Sequence, residues 1–203
     1  MADGTLKVGT ITTSSGSGTI TLGQSGETIS VPSGATFSAT AGTMSGQNYP
    51  AFEAYLNTDQ SITDATLTKV QCGTEVFDTD GCYDNSTNYR FTPTVAGKYS
   101  VYSFARLFET GSGLLIQRGS LNLYKNGSTY SSIYWDFETG GSSSLIRYMT
   151  PTLSNVVSMN GTTDYLEIFA LVDTNAGTNG KVGGYTNSGN FIATTFGAYR
   201  IGA

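Results

Sequence analysis

The sequence predicts an all-β chain: a jelly-roll head carried on an extended, β-rich N-terminal stem. Three observations lead there. Charged residues make up only 12% of the chain, about half the usual share, and few runs offer the polar face that a solvated helix needs. Thr, Ser, Val, Ile and Tyr dominate instead, side chains that suit a pleated surface, and 26 glycines supply turns. From Tyr49 onward, short β-prone runs recur at intervals of roughly 10–15 residues, the rhythm of a sandwich or barrel.

The runs come in order. An alternating stretch at 65–70 is followed by Glu75-Val76-Phe77, then Tyr89-Arg90-Phe91-Thr92, then a long alternating run at 97–104. Ser120-Leu121-Asn122-Leu123-Tyr124 and residues 130–135 flank Lys125-Asn126-Gly127-Ser128. That Asn-Gly pair predicts a tight hairpin, because both residues accept the positive φ such turns demand. Runs at 155–159, 165–172 and 191–201 complete the set. Eight or more strands over about 150 residues fit a double-sheet jelly roll.

The chain changes character near residue 48, which divides it into a stem (1–48) and a head (49–203). Within the first 48 residues, 27 are Gly, Ser or Thr, three are charged and one, Phe37, is aromatic; all thirteen tyrosines lie beyond. Such a segment cannot bury enough apolar surface to fold alone. It nonetheless repeats: Thr10-Ile11-Thr12, Thr19-Ile20-Thr21, Thr28-Ile29-Ser30 and Thr36-Phe37-Ser38, with central residues nine, nine and eight apart. One large apolar residue per unit makes no core in one chain. Three chains about an axis would bring Ile11, Ile20, Ile29 and Phe37 into stacked layers. A mere Gly/Ser/Thr linker has no need of regularly spaced isoleucines.

Charge and cysteine usage exclude several functions. With a net charge of −5 and ten basic residues scattered singly, the chain lacks the clustered Lys and Arg that phosphate backbones require. No run of 18 apolar residues reads as a membrane helix, so membrane insertion is not expected. The start, Met1-Ala2-Asp3-Gly4-Thr5-Leu6-Lys7, is not a secretory signal, which predicts synthesis in the cytosol without classical export. Cys72 and Cys82 have neither the spacing of a redox pair nor histidines to complete a zinc site. They read as two small, partly buried thiols, with a cross-strand disulfide as the alternative.

Over residues 50–203 the order of motifs resembles the trimeric heads of complement-type collagenous proteins and the tumour necrosis factor superfamily. Pro50-Ala51-Phe52-Glu53-Ala54-Tyr55-Leu56 looks like that family's opening strand. Phe77-Asp78-Thr79, Tyr83-Asp84 and Tyr89-Arg90-Phe91-Thr92-Pro93 follow its next passage, and Ala96-Gly97-Lys98-Tyr99-Ser100-Val101 its Gly-x-Tyr strand. Leu121-Asn122-Leu123-Tyr124-Lys125-Asn126-Gly127 resembles its hairpin, and Phe196-Gly197-Ala198-Tyr199-Arg200-Ile201 its closing strand. The family's Gly-Asp before a late strand stands here as Thr163-Asp164, and 136–150 looks long, so loop-borne binding properties do not carry over. The resemblance implies a ten-stranded jelly roll and a homotrimer that packs aromatic faces about its axis. The stem, with the phrase Ser25-Gly26-Glu27-Thr28-Ile29-Ser30-Val31-Pro32-Ser33-Gly34-Ala35-Thr36-Phe37, resembles fibre and head-decoration proteins of tailed bacteriophages. That implies a protein made in the host cytoplasm, built into a virion beside major capsid or tail proteins, and freed by lysis.

Candidate sites are few. Asp78, Asp80 and Asp84 form the densest acidic cluster and, around a glycine turn, offer hard oxygen ligands for Ca²⁺; turn chemistry alone also accounts for them. Trp135-Asp136-Phe137-Glu138 pairs aromatics with carboxylates, a pattern of sugar stacking or of a glycosidase acid pair, and equally of an alternating strand end. With no histidine a Ser-His-Asp triad is impossible. Gly111-Ser112-Gly113 and Gly140-Gly141-Ser142 lack the Gly-Lys-Ser/Thr of a phosphate loop. The loops 109–118, 136–150 and 173–190 are polar and adaptable, so Arg118, Arg147, Lys181 and Tyr185 are the candidate contacts for a host surface glycan or a neighbouring subunit. The expectation is a non-enzymatic, homotrimeric virion protein without a cofactor. A carbohydrate-binding module outside any virion is the alternative, and a glycan-degrading tail spike comes last.

Overall fold

The computed structural model describes residue 11 and residues 18–36, 50–111, 115–137, 146–187 and 189–202. Phe37 of the stem repeat, Glu138, and the glycine-serine runs at 112–113 and 140–142 lie outside the described residues. The chain divides into two units, residues 1–44 and 45–203.

In the first unit, backbone hydrogen bonds from Glu27 to Gln24 (3.0 Å) and from Ala35 to Pro32 (3.0 Å) close two turns, and Glu27 Oε2 also accepts the Gln24 amide at 2.7 Å. Among the described residues this unit has no strand. Thr-Ile-Thr triplets need a partner to pair with, and one chain supplies none. Ile11, Ile20, Leu22, Ile29 and Val31 are all exposed.

The second unit is built from fifteen strands among the described residues. They are β1 Ala51–Tyr55, β2 Gln60–Ile62, β3 Thr68–Lys69, β4 Thr74–Asp78 and β5 Tyr83–Asp84. Next come β6 Arg90–Phe91, β7 Gly97–Ala105, β8 Leu107–Phe108, β9 Ile116–Lys125 and β10 Ser128–Asp136. The last are β11 Tyr148–Met149, β12 Thr152–Met159, β13 Leu166–Thr174, β14 Gly180–Val182 and β15 Thr194–Gly202. Every strand pairing among the described residues is antiparallel. One sheet has the order β12-β7-β15-β1-β4; the other runs β10-β9-β13-β6-β5, with β3 also on β13. This is the predicted all-β jelly roll. A small third sheet, β11-β8-β14-β2, is made of strands two or three residues long.

An aromatic cluster lies between the two large sheets and joins the motif residues. The Phe52 ring stacks on Tyr83 (centroids 4.4 Å) and on Phe91 (4.6 Å), and meets Phe196 edge-on at 5.0 Å. Tyr99 completes the group against Phe91 at 5.6 Å. These rings come from the opening strand, the two short strands after it, the Gly-x-Tyr strand and the closing strand. Their alternation along β1, β7 and β15 sends one side of each strand inward. Tyr99 and Tyr83 bury their rings and still satisfy their hydroxyls, donating to the carbonyls of Val95 (2.7 Å) and Cys72 (3.0 Å).

The hairpin predicted at Asn126-Gly127 joins β9 to β10, with φ of 52° and 77° at its centre. Asp164 braces it: one carboxylate oxygen accepts from Asn126 Nδ2 at 2.7 Å, and the other pairs with Lys125 Nζ at 2.8 Å. The Thr163-Asp164 departure from the family pattern therefore keeps its acid at a structural post.

Candidate functional site

Inward packing of Phe52, Ala54, Tyr99, Val101, Phe196 and Ala198 leaves the alternate residues of β1, β7 and β15 on the far side of the five-stranded sheet. The strand registers order that far side into rows. One row runs Ser154, Tyr102, Gly197, Glu53, Phe77 across all five strands. A second holds Val156, Ser100 and Tyr199, and a third Thr152, Phe104, Thr195 and Tyr55. Phe77 is 43% exposed, Val156 56%, Tyr199 40% and Ile201, further along β15, 48%. The face thus carries a group of exposed aromatic and branched side chains beside the polar Ser154, Ser100 and Glu53.

Its centre is a fixed arrangement. The Tyr102 ring lies across Gly197 so closely that a methyl group there would collide with it. From that position the Tyr102 hydroxyl donates to Glu53 Oε2 at 2.6 Å, and its ring leans toward Tyr199 with centroids 6.5 Å apart. Burial, and then the hydrogen bond to the Glu53 carboxylate, hold the Tyr102 phenol above its usual range. A glutamate on an aromatic face is thus already partnered, which lowers the cost of covering it.

The residues predicted from loops do not meet at one site. Arg118 sits within β9 and is committed to Asp173, its Nε donating to Asp173 Oδ2 at 2.6 Å. Tyr185 packs edge-on to Tyr55 at 5.8 Å, and its amide bonds the Leu56 carbonyl. Lys181 lies in the small sheet, where β14 pairs it with Phe108 of β8, and Arg147 stands just before that sheet's β11. The segments read as loops thus contain short strands, made by pairing to distant residues such as Ser61.

Two carboxylates of the acidic cluster act as turn acceptors. Asp78 accepts the amides of Cys82 (3.1 Å) and Tyr83 (2.8 Å), while Asp84 accepts those of Ser86, Thr87 and Asn88. Both carboxylates close their own turns, and among the described residues no group of three such ligands could hold a metal ion. Asp136 lies opposite Arg118 in the β9–β10 ladder. Cys72 and Cys82 are free and buried, and burial raises both thiols.

Two solved structures share this architecture. Eiger, a TNF from S. frugiperda, aligns with a TM-score of 0.51 at 10% identity, covering 74% of this chain and 91% of its own. Murine APRIL, in its crystal structure at pH 8.0, aligns with a TM-score of 0.51 at 13% identity, covering 74% and 98%. The head is a TNF-like jelly roll. At these identities the likeness is one of fold alone. No family model and no curated protein matches the chain. In this jelly roll the face centred on Tyr102, Gly197 and Glu53 was not singled out from sequence. The signal was present as the alternation of β7, where every second residue from Tyr99 to Ala105 turns inward.

Proposed function

We propose that the protein is a non-enzymatic structural component of a bacteriophage particle. It is a homotrimer whose head projects from the particle and adheres to the host surface, and whose N-terminal region anchors it to capsid or tail proteins. The observation that carries the trimer is the exposed aromatic face of the β12-β7-β15-β1-β4 sheet, which a lone chain leaves in water. Three copies packed face to edge about an axis bury it. The exposed Ile11, Ile20 and Ile29 of the stem call for the same remedy, since stacking with copies of themselves is how a chain with one apolar residue per repeat covers it.

The virion assignment draws on the stem's resemblance to phage fibre and decoration proteins, and places the protein's synthesis in the host cytoplasm and its work on the particle. Absence of histidine from the chain weighs against acid–base catalysis of the commonest kind. Many copies per particle make weak contacts sufficient for adhesion. Light scattering of the full chain at micromolar concentration should give three times the chain mass; a monomer would overturn the trimer. Cryo-electron microscopy of the intact particle should show three-fold density at the capsid or tail, and a particle lacking the chain would overturn the virion role.

A further inference from the structure

A second feature lies away from the aromatic sheet face. Where β10 ends and β11 begins, a cleft of about 690 Å³ is lined by Trp135, Phe137, Ile146, Arg147, Tyr148 and Met149, with Thr150 and Pro151 at its edge. Its size is that of a small-molecule site. Trp135 is 50% exposed and Tyr148 54%, so two broad ring faces stand open in it. Trp135 and Phe137 are two apart along one extended segment and lie nearly parallel, centroids 6.2 Å apart and planes 19° apart. Phe137 is partly buried against the core, so the half-exposed indole of Trp135 is the aromatic surface on which the C–H face of a sugar ring can stack.

The polar chemistry narrows the ligand. Among the described residues the lining has no Asp, Glu, Asn or Gln, the side chains that usually sort the hydroxyls of a neutral sugar. Among those residues the one charged group is Arg147, held in place by an Nη2 hydrogen bond to the Gly111 carbonyl at 3.0 Å. Tyr148 is stacked on Phe108 at 5.6 Å, with the Arg106 guanidinium 5.1 Å from its centroid. Lys181 is paired with Phe108 on the same small sheet. The ion pairs among the described residues are Lys69–Glu167, Arg118–Asp173 and Lys125–Asp164; Arg106, Arg147 and Lys181 enter none of them. In a chain of net charge −5, this end gathers three cations that no described carboxylate neutralises by direct contact. Guanidinium and carboxylate are matched partners.

We propose that this cleft binds an acidic sugar unit of a surface glycan, its ring on the exposed indole of Trp135 and its carboxylate toward Arg147. The proposal rests on the adhesive reading of the head and gives it a site and a ligand class.

Trp135 is the chain's single tryptophan, so its fluorescence reports on the cleft directly. The full chain is titrated with oligogalacturonate, oligoalginate and sialyllactose, with maltohexaose as the neutral comparison. At least one acidic sugar should change the emission saturably, maltohexaose should not, and added salt should weaken the binding. By calorimetry Trp135→Ala should reduce affinity by about tenfold or more, Trp135→Phe by less, and Arg147→Gln more than Arg147→Lys. Thermal melts identify any variant that fails to fold, and the half-exposed Trp135 variants keep the test alive if Arg147→Gln does. No saturable response to any of the three acidic sugars, equal binding of maltohexaose, or binding untouched by Trp135→Ala each overturn the site. So does a Trp135 shielded from acrylamide in the free trimer, since a second copy then fills the cleft. A trimer that binds no sugar removes this site and leaves the structural role standing; a monomer that binds does the reverse.

Discussion

Tyr102 reaches over Gly197 to donate a 2.6 Å hydrogen bond to Glu53, tying β7 to β1 across the strand between them. Only a residue without a side chain fits under that ring. Gly197→Ala should displace the ring, break the bond and cost about 1–3 kcal/mol, as overpacking does. Tyr102→Phe keeps the ring and removes only the hydroxyl, so its cost should be nearer 1 kcal/mol. Calorimetric melting of both variants checks the order. Gly197→Ala melting with the parent would mean the ring does not depend on that gap. If the face is the trimer contact, Gly197→Ala should also shift the mass in light scattering, and Tyr102→Phe should not.

Phe52 is the hub of the core, touching Tyr83, Phe91 and Phe196 from the facing sheet and its own. It is fully buried. Phe52→Ala should cost about 3–5 kcal/mol, because the rings around it cannot all collapse into the space. Phe77→Ala, on the exposed side of the adjacent strand, should change the monomer's stability by less than about 1 kcal/mol. Urea unfolding of the two variants, at dilutions where light scattering reads the lone chain, measures the contrast, and equal losses would place the core wrongly.

That core was legible because its aromatics sit inside motifs whose order survives in sequence: Phe52, Tyr83, Phe91, Tyr99 and Phe196. The hairpin was legible too, since Asn126-Gly127 has few other uses between two alternating runs. The small sheet was not. Its strands hold two or three residues, too few to alternate, and Lys181 finds its partner in Ser61 through a pairing that only the finished fold creates. The run at 65–70 overreached for a related reason: Ala65 turns with φ of 51°, only Thr68–Lys69 forms a strand, and Ala65 and Val70 reach β13 only through single amide hydrogen bonds to Val172 and Ile168. At the aromatic face, alternation marks Tyr102 as outward, yet nothing local links it to Glu53, 49 residues earlier. The aspartates left two readings open in sequence, a cation site and turn chemistry. Proximity in sequence put Asp78, Asp80 and Asp84 together, while backbone amides claimed two of them separately.

Acid should weaken the fold through two of its carboxylates. Asp84 is held below the usual range by the amides of Thr87 and Ser86, and Asp164 by Lys125 and then Asn126. A carboxyl depressed in the folded state stabilises fully above its unfolded value of about 3.9, and that stabilisation is lost as pH falls through the folded value. Stability should therefore be flat in these groups above about pH 5 and decline below about pH 4. Asp84→Asn and Asp164→Asn should each flatten part of that decline, at the cost of lower stability at neutral pH. Melting temperatures from pH 2 to pH 7 test it; an acid limb unchanged in both variants would assign the sensitivity to other groups.

The two cysteines supply a kinetic prediction. Cys72 is fully buried, Cys82 nearly so, and burial is the leading cause that raises each thiol. The thiolate is the reactive form, so at neutral pH both sites lack the nucleophile as well as access to reagent. Cys82 is held further by the turn around it: its Sγ lies 3.8 Å from the Asp80 carbonyl and 3.9 Å from Thr94 Oγ1. Iodoacetamide at pH 7.5 should leave both unmodified in the native protein over hours and label both in urea, as intact-mass spectrometry would read. Labelling should then track unfolding, and Phe52→Ala, whose ring packs on Tyr83 beside Cys82, should accelerate it. Rapid native labelling of Cys82 alone would mean that the 78–84 turn opens independently of the core, and that the carboxylate of Asp78 does not hold it closed.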